Sequence, residues 1–117
     1  MSTVASSVER DVAERLLRLI GLGVRARTVV VGVEQVRAAI KKGNVVFAVV
    51  APDASVNSRE KVVPLLRARR VMFVEGPTAA ELGAAVGREQ TAAVGVVDPQ
   101  LARGIRDLVA TSVARDS

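Results

Sequence analysis

The sequence predicts an α/β fold, a sheet with helices on both faces, on three observations. Amphipathic and strand-like segments alternate as α-β-α-β-α-β-α-β-α. The strand segments read as near-continuous apolar runs, as strands covered on both sides do. The chain has 117 residues, half of them apolar, enough for one core and short for two. No internal repeat or low-complexity segment interrupts it.

A first helix is expected over 7–20, with Val8, Val12, Leu16, Leu17 and Ile20 on one side and Gly21 ending it. Gly21-Leu22-Gly23-Val24-Arg25-Ala26 imitates a dinucleotide fingerprint. No strand precedes it, so it reads as a helix end and turn. The central stretch, 28–53, holds a β-branched run, Gly32, an amphipathic helix from Val33 to Gly43, and a buried strand ending in Pro52-Asp53. Asn57 with Glu60 resembles a cap, and Pro64 is expected as the first residue of a helix over 64–69. A strand follows over 71–75. Thr78 and Glu81 then form a capping box for a helix over 79–86, which Gly87 closes. After the polar loop 87–91 comes a strand over 92–97, and Asp98-Pro99 opens the last helix. One domain over 7–113 is expected, with flexible ends at 1–6 and 114–117.

Composition narrows the chemistry. The chain has neither cysteine nor histidine, which removes disulfides, Cys/His metal sites, thiol nucleophiles and imidazole bases. A Ser–His–Asp triad cannot be assembled. A non-enzymatic protein without cofactor or metal is expected. Asp53 and Ser55 sit where an α/β enzyme places catalytic groups, but capping and turn formation account for them. No apolar run approaches the ~20 residues of a membrane span. Met1 to Ser7 carries neither the basic flank nor the apolar core of a signal peptide, so a cytoplasmic protein is expected.

The net charge is +5, and it is unevenly spread. Residues 21–74 hold ten basic side chains against Glu34, Asp53 and Glu60, whereas 75–117 hold more acid than base. A basic middle points to a polyanionic partner. Gly32 leaves the first N–H groups of the following helix uncovered, and such a helix start attracts phosphate. Arg25, Arg27, Arg37, Lys41 and Lys42 flank it in sequence and could contact phosphates, with an ordinary solvated helix face as the alternative for Arg37, Lys41 and Lys42. Arg67, Arg69 and Arg70 read as the solubilising end of a helix near its negative pole. With no Tyr or Trp there is no stacking platform for single strands.

The segment from Gly32 to Gly43, the strand ending Val50-Ala51-Pro52-Asp53-Ala54-Ser55, Pro64-Leu65-Leu66, and Glu81-Leu82-Gly83 with Gly87 resemble the kink-turn-binding ribosomal protein superfamily of the L-seven-Ae / L-thirty-e type. The likeness covers about residues 12–106 and looks closest to the short bacterial YlxQ-like members. It implies a three-layer α/β/α sandwich with a four-stranded mixed sheet. It also implies binding of structured ribosomal or other non-coding RNA, typically an internal loop bent by sheared G·A pairs. Ribosomal or ribonucleoprotein partners and a monomeric state are further expectations. The resemblance places the reading surface at Gly32, Val33, Glu34, Gln35 and Ala38 and in the loop Arg88, Glu89, Gln90 and Thr91. Gln35 matches a position that meets a guanine edge. Glu34 stands where the family has Asn, Ala38 where it has Lys, and Arg88 and Gln90 replace apolar residues. A protein-interaction module on the same fold is the alternative. A third possibility is a fragment like the RNA-substrate domain of some RNA ribose methyltransferases.

Overall fold

Short apolar runs rich in β-branched residues form the strands, and helices pack on both faces of the main sheet. The computed structural model describes residues 4–5 and 9–116. The elements are β1 (Val4–Ala5), α1 (Arg10–Arg25), β2 (Val29–Val31), α2 (Val33–Lys41), β3 (Phe47–Val50), α3 (Val56–Ala68), β4 (Phe73–Glu75), α4 (Ala79–Val86), β5 (Ala93–Val96) and α5 (Pro99–Asp116). The strand order is β1-β4-β3-β5-β2. β4 runs parallel to β3 and β1, while β5 runs antiparallel to β3 and β2. The four main strands thus form the expected mixed sheet, and the two-residue β1 adds an edge.

The core divides at the sheet. On one face Leu16, Ile20, Phe47, Val49, Leu82 and Ile105 join α1, α4 and α5 to the strands. On the other, Val36, Ile40, Ala48, Val50, Val62, Leu66 and Phe73 join α2 and α3. Alternate residues of β3 enter opposite clusters, which is why its four residues are all buried and read as one apolar run.

Several boundaries differ from the sequence expectation. α1 does not stop at Gly21 but continues to Arg25. A Cβ on Gly23 would lie 2.5 Å from Val29 Cγ2 and 2.7 Å from Leu101 Cδ2, so this glycine serves close packing instead of termination. α3 starts at Val56 after Ser55, whose hydroxyl accepts from the Ser58 N–H at 3.1 Å; the Asn57/Glu60 cap does not form. Pro64 lies inside α3. It and Glu60 are both exposed, so the carbonyl that loses its partner can turn to water. α5 continues to Asp116, and Val4–Ala5 pair with Phe73 and Val74. Residues 1–3, 6 and 117 of the expected flexible ends, and 7–8 of the expected first helix, lie outside the described residues.

The other caps form as read: Thr78 and Glu81 make a full capping box, Gly87 takes φ 78°, and Asp98 accepts from Leu101 N–H at 2.9 Å. Asp53 accepts from the first N–H of α4, Ala79, at 2.8 Å, which is a capping role.

The topology gives the molecule two unlike ends. β2 and α2 meet at Gly32, beside the C-terminal ends of β3 and β4 and the start of β5. At the opposite end α1, α2 and α3 all terminate in one pattern. Thr28, Asn44 and Val71 donate back to Gly23, Ala39 and Leu66 at 2.8–3.0 Å, while Arg27, Gly43 and Arg70 donate to Val24, Ile40 and Arg67. The turn residue must be left-handed: Gly43 has φ 77°, but Arg27 and Arg70 hold φ 62° and 58°. For a residue with a Cβ that conformation costs roughly 1–2 kcal/mol.

Candidate nucleic-acid interface

The start of α2 is the one helix start among α2 to α5 without a side-chain cap. Ser55 caps α3, Thr78 and Asp53 cap α4, and Asp98 caps α5, whereas Gly32 has no side chain to offer. Gly32 adopts φ 95°, ψ 153°, and its N–H donates to the Ala93 carbonyl at 2.9 Å, pinning the turn to β5. The first helical bond is Val36 N–H to Gly32 carbonyl at 2.9 Å. The N–H groups of Val33, Glu34 and Gln35 therefore have no intrahelical acceptor. Glu34 and Gln35 are exposed, and Gly32 and Val33 are half-buried.

The loop 87–91 comes to this tip. A Cβ on Gly32 would lie 3.5 Å from Arg88 Nη1, so a guanidinium flanks the uncapped turn. α4 fixes the loop from below: Arg88 N–H donates to the Gly83 carbonyl at 2.7 Å, and Thr91 N–H to the Ala79 carbonyl at 3.0 Å. Gly83 makes room for the strap, since a Cβ there would meet the Arg88 carbonyl and Gln90 N and Cα at 2.8 Å. Arg88, Glu89 and Gln90 are exposed. Thr91 departs from the expected contact set: it is only 4% exposed, and its Oγ1 has no hydrogen-bond partner among the described residues.

The remaining candidates separate. Glu34 does not stand alone as a negative charge, because Lys61 of α3 lies 3.6 Å away. Arg37 donates to the Lys61 carbonyl at 2.6 Å, which ties it to α3 and away from the tip. Gln35 and Ala38 border an open cleft of about 420 Å³, with Val30, Lys42, Asn44 and Val97 among its walls. Lys41 sits at the other end of α2, roughly 13–14 Å from Gly32 by the helical rise. Arg25 and Arg27 lie at the far end of β2, so sequence proximity to Gly32 did not become spatial proximity. Lys61 and Asn44 carry no sequence signal, since both join the surface through contacts between separate elements.

Arg69 donates to the carbonyls of Ile40 and Lys41 at 3.3 Å, covering the last carbonyls of α2. Arg67 stands 5.6 Å from the centre of the buried Phe73 ring. Among the described residues no group of His, Cys, Asp and Glu is placed to hold a metal ion. No helix there is long and apolar enough to cross a membrane.

A mixed sheet covered by helices on both faces defines a small α/β/α sandwich. Residues 14–105 match the model of the ribosomal protein L7Ae/L30e/S12e/Gadd45 family, and the chain belongs to that family. Among solved structures it is similar to a Bacillus halodurans protein of unknown function, with 28% identity and a TM-score of 0.73. That match covers 82% of this chain and 97% of the other. It is also similar to a Giardia lamblia 15.5kD RNA binding protein, with 17% identity, a TM-score of 0.71, and 97% and 98% of the two chains covered. At that identity the second likeness speaks for the fold alone. No curated protein matches the chain at a significant level.

Proposed function

We propose that this chain is a non-enzymatic, cytoplasmic binder of structured RNA, recognising a kink-turn or similar bent internal loop in ribosomal or other non-coding RNA. The observation that carries the reading is the uncapped first turn of α2 with the Arg88 guanidinium beside it. Three free N–H groups, the positive pole of α2 and the Arg88 cation converge there, which suits a phosphate or a guanine edge. Gln35 adds an exposed amide that both donates and accepts. Family membership supports the reading. Lys61 supports it as well, since pairing with Glu34 offsets the carboxylate that would otherwise repel a backbone.

The test is binding to a synthetic kink-turn RNA and to the same RNA with its G·A pairs replaced by Watson–Crick pairs. Wild type binds the bent RNA at least tenfold more tightly, and Arg88→Glu removes most of that preference while the melting temperature holds. Equal affinity of wild type for both RNAs would overturn the reading.

A further inference from the structure

We infer that the end of the molecule opposite Gly32 is a second RNA contact, gripping the sugar-phosphate backbone of duplex RNA without reading its bases. Arg27, Lys41, Lys42 and Arg70 are exposed there, and none has a side-chain partner among the described residues. Arg27 precedes β2 and Arg70 precedes β4, the outer two of the four main strands. Three interstrand steps separate them, roughly 14 Å. Lys41 and Lys42 lie at the end of α2, joined to the Arg70 turn through Arg69 and to the β5 end through the cleft that Lys42, Asn44 and Val97 share. Asp98, which follows Val97 at the β5 end, is engaged in capping α5.

The backbone singles out the two arginines. Helices α2 and α4 end with glycine in the left-handed region, whereas α1 and α3 place Arg27 and Arg70 in that same conformation. An arginine gives the turn no conformational advantage over glycine, so the strain at both positions points to the side chain. The row presents no exposed aromatic ring; Phe47 and Phe73 are both buried. Cations without stacking groups suit phosphate contacts. The cleft from Gln35 to Lys42 runs along α2 and connects this end with the tip. A stem leaving the tip can thus follow α2 to the row.

The experiment compares full-length wild type with the triple variant Arg27→Gly, Lys42→Ala, Arg70→Gly on a 20-base-pair RNA duplex without an internal loop. Both glycine substitutions relax the turns, so the melting temperature stays at or above wild type. Affinity falls at least tenfold, and the slope of log affinity against log salt drops by roughly 2–3, about 0.9 per lost phosphate contact. Lys41→Gln with Lys42→Gln, which leaves the left-handed residues untouched, lowers both in the same direction. An unchanged slope, no duplex binding by wild type at low salt, or a loss seen only with anionic phospholipid vesicles would overturn the inference. Loss of the kink-turn preference with this slope change retained would defeat the tip reading alone.

Discussion

Gly83 has no room for a methyl group, and that fixes the loop which backs the α2 start. An added Cβ meets backbone atoms of Arg88 and Gln90 at 2.8 Å, and backbone cannot swing aside as a side-chain end can. We expect Gly83→Ala to destabilise the fold by about 1–3 kcal/mol through overpacking and to weaken kink-turn binding as the loop moves. Gly104, whose Cβ position is open, serves as the control: there alanine should stabilise α5 by about 0.5–1 kcal/mol. Urea denaturation of both variants checks this, and a neutral Gly83→Ala would remove the strap from the account. The sequence shows Gly83 only as a glycine inside the expected helix over 79–86. Its partner is invisible there, because the contact is made by the chain's own backbone folding back. Thr91 shows the same limit from the other side, a polar residue of a polar loop that the fold draws inside.

Helix α4 shows which elements are legible in advance. Thr78, Glu81 and Gly87 act within three residues of what they cap, so their pattern survives without tertiary knowledge. α1 and α3 depart from the sequence pattern where a distant contact or an open face decides: Gly23 packs on Val29 and Leu101, and Pro64 faces water. The Glu81 carboxyl is held below the usual carboxylate range, first by the hydrogen bond from the Thr78 N–H and then by Arg10 at 2.7 Å. The unfolded chain lacks both contacts. The ionised cap therefore contributes in full above the ordinary carboxylate pKa, and its contribution fades as pH falls through the lowered value. Wild type should melt above Glu81→Gln at pH 7, and the gap should narrow as the pH falls below the ordinary carboxylate range. A gap independent of pH would show that the charge contributes nothing.

Across the whole molecule, one charge pattern becomes two surfaces. The basic middle of the sequence is real, but composition cannot say that β2 carries Arg27 to the end away from Gly32, or that Arg37 is spent on the Lys61 carbonyl. The alternating elements and the three-layer sandwich were legible because the central strands β3 and β5 are buried along their whole length and read as continuous apolar runs. The division of the cations was not, since it follows from mixed strand directions. Two ends then offer two kinds of contact: fixed N–H donors with Arg88 at one, a row of free cations at the other.

The most direct measurement follows the backbone amide resonances during titration with kink-turn RNA. The largest changes should fall on Val33, Glu34 and Gln35 and on Arg88, Glu89 and Gln90, with Arg27 and Arg70 responding only when the stem is extended. Unmoved amides at the start of α2, with binding still saturating, would contradict the central claim.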